Sequence, residues 1–230
     1  MNFILLFNWM QLLQPQWYID NGGLWFIVFA VFAETGLFAG FFLPGDSLLF
    51  VTGIFSDNLV QTGLGVNVNP FVNLIILGIV ISIAGIIGNY IGYWFGKKSG
   101  PFLFERKDTF LFKKKYLLQA KDFYDKHGGG AIVMARFLPI IRTFAPIVAG
   151  IVSMDPKKFT YYNVLGSIAW VFSMLFAGHY LQILFLQLLN FDLKQHLEVI
   201  VIGIVLITTA PIFIKLVFSK NKNSSQRISE

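Results

Sequence analysis

Apolar residues run almost unbroken through six stretches, roughly 24–43, 47–56, 71–96, 130–152, 158–188 and 197–219, and polar residues collect between them. Several stretches reach about 20 residues, the length that carries a helix across a hydrocarbon core of ~30 Å. The pattern predicts helices with no polar face to turn toward water, the mark of membrane spans. Two stretches are interrupted from within. FLPGDS at 42–47 and FLPIIR at 137–142 each place a proline where a spanning helix would continue, and proline removes a helical N–H and clashes with the preceding turn. The polar stretch DNLVQTGLGVNVNP, residues 57–70, reads as a connector.

Composition agrees with this pattern. Of 230 residues, 56% are hydrophobic, 17% aromatic and only 13% charged, and the mean hydropathy is +0.67. A soluble domain carries about 25% charged residues. The chain therefore reads as an all-α integral membrane protein with one membrane domain over residues 1–219. Residues 220–230 read as a disordered tail. Residues 1–14, MNFILLFNWMQLLQ, lack a basic start and a small-residue cleavage site, so they read as a retained interfacial helix rather than a signal peptide. There is no cysteine, which removes disulfides and thiolate metal sites.

Charge placement sets a topology. The first 96 residues hold no Lys or Arg, residues 97–127 hold nine, and the tail from Lys215 holds four more. Basic residues beside spans stay cytoplasmic, so loop 97–127 and the tail are expected inside. Three apolar segments lie between these two inside regions, yet the crossing count must be even. One segment must enter and return on the same side. Segment 130–152 is the candidate, because Pro139 and Pro146 break it and Arg136 and Arg142 load it with charge. The same logic makes 24–56 re-entrant from the outside, turning at Pro44-Gly45. The expectation is an inverted repeat: two opposed re-entrant hairpins, about three full transmembrane helices and amphipathic surface helices, a recurring transporter design.

The chemistry gathers at the two breaks. Glu34 lies about ten residues into an apolar helix, where a charge costs roughly 2.5–3.5 kcal/mol on insertion scales. It reads either as a structural partner or as a proton-titratable carboxylate. Asp46, with Ser47, follows Pro44-Gly45 in the manner of a helix cap. Arg136 and Arg142 suit a phosphate clamp, since a guanidinium fork matches phosphate oxygens. The bland alternative is snorkelling toward the interface, which fits Arg136 better than Arg142. If the hairpins meet, the two acids and two arginines are expected to neutralise one another. Gly88, Gly92, Gly96 and Gly100 form a stripe suited to close helix packing. Asn89 and Tyr93, four apart, add a polar face to the expected cavity, which Pro44, Gly45, Ser47, Pro139 and Thr143 are also expected to line.

Other chemistries find no support. His127, His179 and His196 have no metal-ligand spacing, and there is no phosphate-binding glycine loop or serine elbow. The chain reads as no enzyme, with no cofactor and no nucleic-acid partner. The amphipathic stretch TFLFKKKYLLQAKDFYDKHG is expected on the inner membrane surface.

The segments E-x-G-x-x-x-G-x-x-x-P-G-D (Glu34 to Asp46), G-N-Y-x-G-Y-x-x-G (88–96) and R-F-x-P-x-x-R-T (136–143) resemble the DedA family of bacterial inner-membrane proteins, which share the VTT, or SNARE-associated, domain. The resemblance covers about residues 20–182. It implies two opposed re-entrant hairpins and movement of lipids between leaflets, with undecaprenyl phosphate or phosphatidylethanolamine as substrates. It also implies a link to the proton-motive force. The family's acidic pair falls on Glu34 and Asp46, and its arginine pair on Arg136 and Arg142. The expected partners are membrane lipids and protons, and a homo-oligomer is compatible with this reading. The alternative from the same carboxylates is a proton-coupled antiporter of small ions or drugs.

Overall fold

The computed structural model describes residues 15–36, 45–105, 122, 124, 126, 128–197, 199, 200 and 202–204. The expectations for Pro44, His127, the N-terminal segment, most of the amphipathic stretch, the last apolar segment and the tail fall wholly or largely outside these residues.

The described residues are helical and contain no strand. In chain order the helices are α1 (Pro15–Gly36), α2 (Gly45–Ile54), α3 (Ser56–Leu64), α4 (Pro70–Glu105), α5 (Gly130–Ala135), α6 (Pro139–Ile151) and α7 (Pro156–Leu189). A short 3-10 turn follows at Leu193–His196. Among the described residues two helices are long and apolar enough to cross a membrane: Pro70–Gly100, with mean hydropathy 2.6, and Pro156–Leu189, with 1.6.

The predicted break in 130–152 is present at Pro139 but not at Pro146, which lies inside the continuous α6. After α5 the chain turns through Arg136–Leu138, where Leu138 is extended at φ −112°, ψ 105°, before Pro139 restarts the helix. A residue before proline is pushed to extended backbone, and proline suits a first helical turn. One break was not foreseen: Gly23 (φ 54°) kinks α1. The 57–70 connector is also not wholly irregular. Its first part is α3, which buries Leu59 and Val60 in the core and leaves Asn58, Gln61 and Thr62 in the open. Gly65 closes α3 in the left-handed region, φ 69°, where a side chain is disfavoured.

The long helices α4 and α7 run antiparallel. Phe71 stacks on Phe176 near one end, Asn89 meets Asn163 midway, and Tyr93 stacks on Phe159 beyond it. The shorter helices fit around this pair in a repeated way. α1 runs along the first half of α4, from Leu24 and Ile27 beside Leu74 and Leu77 to Gly36 against Gly88. α5 runs likewise along the first half of α7, where a Cβ on Gly166 would lie 3.3 Å from Val133 Cα. The second arms then swap partners: α2 packs on the second half of α7, and α6 packs on the second half of α4. At both swapped crossings glycines stand on each side. Gly53 lies against the Leu175 backbone and Gly178 against Phe50, while Gly150 lies against Tyr93 and Gly96 against Ile147.

Helices α1 and α2 therefore share one half of the molecule and run in opposite directions, as α5 and α6 do in the other half. The predicted glycine stripe on α4 is used as expected: Gly88 receives α1, and Gly92, Gly96 and Gly100 receive α6. Such residues bring backbones together and gain dispersion contacts. The larger apolar core joins α1, α2, α3, α4 and α7. A smaller one gathers Tyr93, Ile132, Ala149 and Phe159 in the other half.

Candidate functional site

The ends of the arms meet at the middle of the α4–α7 pair, and there the structure gathers the charges singled out from the sequence. Glu34 sits in the last turn of α1, Asp46 in the first turn of α2, Arg136 in the break after α5, and Arg142 in the first turn of α6. All four are buried, with relative exposures of 2%, 8%, 3% and 6%. Neither arginine snorkels to a surface.

Arg142 holds both carboxylates. Its Nη2 donates to Glu34 Oε1, and its Nη1 donates to Asp46 Oδ1. Trp170 of α7 completes the arrangement. Its indole Nε1 donates to the same Asp46 Oδ1 at 2.8 Å, and its ring lies 4.8 Å from the Arg142 guanidinium carbon. Charge-assisted hydrogen bonds and a cation over an indole face are among the stronger polar contacts available to a buried site. Asp46 is thus committed to Arg142 and Trp170 rather than acting simply as a cap. Gly45 is required here, since any Cβ would run into the Glu34 carboxylate. Ser47 is buried beside it at 1% exposure.

Arg136 has different surroundings. Its Nη2 donates to Asn163 Oδ1 at 2.7 Å, and the same oxygen accepts from Asn89 Nδ2 at 2.8 Å. Asn163 Nδ2 donates to the Ile86 carbonyl at 3.2 Å. Among the described residues no carboxylate comes within ion-pair distance of Arg136. The even neutralisation expected of the four charges is therefore replaced by an uneven one, with two acids on one arginine and an amide on the other.

Among the described residues, two buried polar atoms in the cluster, Glu34 Oε2 and Arg142 Nε, have no hydrogen-bond partner. Of the expected cavity residues, Asn89 joins the site through Asn163. Tyr93 does not: its hydroxyl donates to the Met154 carbonyl at 2.6 Å and its ring stacks on Phe159. Thr143 is buried beside Arg142 in the chain. Pro139 serves the site by opening α6. Asn163 and Trp170 are the residues that the sequence reading missed. The available signal was an amide in the apolar segment YYNVLGSIAW, where polar side chains are rare and functional.

Two antiparallel helices of membrane-crossing length are clasped by shorter helices whose buried ends bring opposite charges together midway along the pair, the outline of a membrane protein with a buried polar site. The VTT domain matches residues 43–180. The chain is 35% identical over 211 residues to Protein DedA of Escherichia coli, covering 90% of this chain and 89% of that one. It is 30% identical over 224 residues to an uncharacterized membrane protein of Mycobacterium tuberculosis, covering 94% and 92%. It is also 28% identical over 181 residues to the inner membrane protein YqjA of Escherichia coli, covering 74% and 77%. The chain belongs to the DedA family of membrane proteins. No solved structure matches it.

Proposed function

We propose that this protein is a translocase that moves a phosphate-bearing lipid between membrane leaflets, with uptake of a proton. The observation that carries this reading is the uneven charge cluster where the broken helices meet. Arg142 is closed by two carboxylates, and Arg136 beside it is a buried cation held, among the described residues, by an amide. A phosphate presents oxygens that can take the place of carboxylates on a guanidinium fork. As the headgroup engages Arg142, a displaced carboxylate is left with excess negative charge in a poor solvent for charge and is relieved by a proton. Glu34 is the acceptor best suited to that role, because its Oε2 has no partner among the described residues while Asp46 keeps its bond to Trp170.

In this reading α1–α2 and α5–α6 are re-entrant hairpins entering from opposite membrane faces. Such irregular backbone is tolerated at membrane depth only where protein or a polar cavity surrounds it. Loop 97–127 and the tail lie on the cytoplasmic side of a multi-pass inner-membrane protein. Only the headgroup needs the polar site, since acyl or isoprenoid chains remain in the bilayer. The family resemblance makes undecaprenyl phosphate and phosphatidylethanolamine the first lipids to try. The protein is a carrier and not an enzyme.

The test is reconstitution in vesicles with fluorescent undecaprenyl phosphate or phosphatidylethanolamine in one leaflet. Wild-type protein should equilibrate one of them, and Arg136→Ala with Arg142→Ala should lose most of that protein-dependent rate. Unchanged movement in the double variant would sink the reading. Cation transport without lipid movement, abolished by Glu34→Gln and insensitive to Arg142→Ala, would favour the antiporter. Phosphate release from the lipid would make the protein an enzyme.

A further inference from the structure

We infer that Asn163 is the positioning residue that keeps Arg136 in reserve, as an unneutralised cation aimed at the incoming anion. This rests on the translocase reading and deepens it by giving the two arginines unequal parts.

The amide is fixed from three sides. Its Nδ2 is committed to the Ile86 carbonyl on α4, so its oxygen must turn the other way, toward Arg136. Asn89 Nδ2 binds that same oxygen from α4, and Ser167 Oγ donates to the Asn163 backbone carbonyl at 2.6 Å. Among the described residues Arg136 is therefore held through one nitrogen, Nη2, by the amide oxygen, and that oxygen brings no full negative charge.

Glycines leave room around the rest of the side chain. A Cβ at Gly166 would lie 3.3 Å from Arg136 Cγ and 3.7 Å from Nε, and one at Gly85 would lie 3.9 Å from Nη1. An amide oxygen can orient a guanidinium but cannot neutralise it. A buried cation with no carboxylate in contact, and only the more distant charge of Glu34 nearby, is costly, and one remedy within this fold would be a carboxylate in place of Asn163. The chain instead carries the isosteric amide. That choice leaves the counter-charge to be supplied from outside, by a phosphate monoanion or dianion. Arg142, already paired twice, is engaged only as its carboxylates yield. Arg136 is then the first cation the headgroup meets, and Asn163 sets where it waits.

The experiment titrates purified full-length protein in neutral detergent with monodecyl phosphate, following Trp fluorescence and the melting temperature. Wild type should bind. Asn163→Asp should stay folded, because the ion pair gained with Arg136 offsets the lost donor to the Ile86 carbonyl, yet bind monodecyl phosphate at least about tenfold more weakly. A merely structural amide would not combine retained stability with lost affinity. If that variant does not fold, Asn163→Ser serves: it withdraws the orienting oxygen and should weaken binding about tenfold. Wild-type affinity in the folded variant overturns the part given to Asn163 and leaves the translocase reading standing. Absence of binding by wild type itself overturns both.

Discussion

In the first half of the molecule α2 crosses the far end of α7 with Gly53 and Gly178 bearing on each other's helices. In the second half α6 crosses the far end of α4 with Gly150 and Gly96 doing the same. The two crossings are alike in backbone and opposite in charge. The first half delivers carboxylates, Glu34 and Asp46, and the second delivers guanidiniums, Arg136 and Arg142. Packing thus repeats while chemistry complements, so neither half owns a site. The site exists only where the halves dock, and disturbing a crossing should damage it as surely as removing a charge.

The comparison breaks most severely at Arg142. Arg142→Ala strands two buried carboxylates and should cost about 3–5 kcal/mol, read as a large fall in melting temperature in detergent. Glu34→Gln on that background should recover part of the loss, because one stranded charge is gone. If the single variant melts like wild type, the ion pairs do not hold the halves together.

Next come the crossings themselves. Gly53→Ala and Gly150→Ala each drive a methyl into a backbone across the crossing, and each should cost about 3 kcal/mol. The two costs should match closely, since the crossings are equivalent. A large loss at one and none at the other would break the equivalence. Gly130→Ala is the control: a Cβ there meets nothing within 4 Å, so it should be neutral or slightly stabilising by removing freedom from the unfolded chain.

A smaller effect belongs to the hydrogen bond that ties Asp46 to the long helix of the opposite half. Trp170→Phe keeps an aromatic ring over Arg142 and removes the Nε1 donor. It should cost about 1.5 kcal/mol, measured by thermal unfolding, with far less effect in an Asp46→Asn background, where the acceptor's charge is already gone.

The smallest effect lies outside the crossings. Asp192, just after α7, accepts from Gln182 Nε2 at 2.8 Å and from the Lys194 N–H at 3.0 Å. These bonds, that from Gln182 foremost, hold its carboxyl below the ordinary aspartate value. A depressed carboxyl stabilises the fold above its ordinary value, and that contribution is lost as pH falls through the lowered one. Asp192→Asn should therefore melt slightly below wild type at neutral pH, with the gap closing in strong acid. A gap that widened on acidification would contradict the assignment.

Much of this was legible before any coordinates. Apolar runs of spanning length became α4 and α7, Pro139 restarted a helix where the sequence broke it, and Gly88 to Gly100 lined the surface that receives α1 and α6. These follow from local rules of chain length, proline geometry and side-chain size. The four charges were also legible, because an ionised group inside an apolar segment is too costly to be idle. What the sequence hid was pairing. Nothing in the spacing of Arg136 and Arg142 tells which will receive the acids, since that depends on how two distant halves dock. Asn163 and Trp170 read as ordinary members of an apolar helix until α7 is seen to pass between the arm ends. The helix α3 was hidden by its polar residues, since only the apolar Leu59 and Val60 announce a buried face, too few for a clear period.

The central claim is that a lipid phosphate takes its place where the two halves meet. The most direct measurement is an experimentally determined structure of the protein in nanodiscs containing a phosphate-bearing lipid that it moves. The account predicts headgroup density between the arm ends, against Arg136 and Arg142, with Glu34 or Asp46 displaced from Arg142. An intact Arg142–Glu34–Asp46 cluster, with lipid confined to the outer surface of α4 and α7 while transport persists, would contradict it.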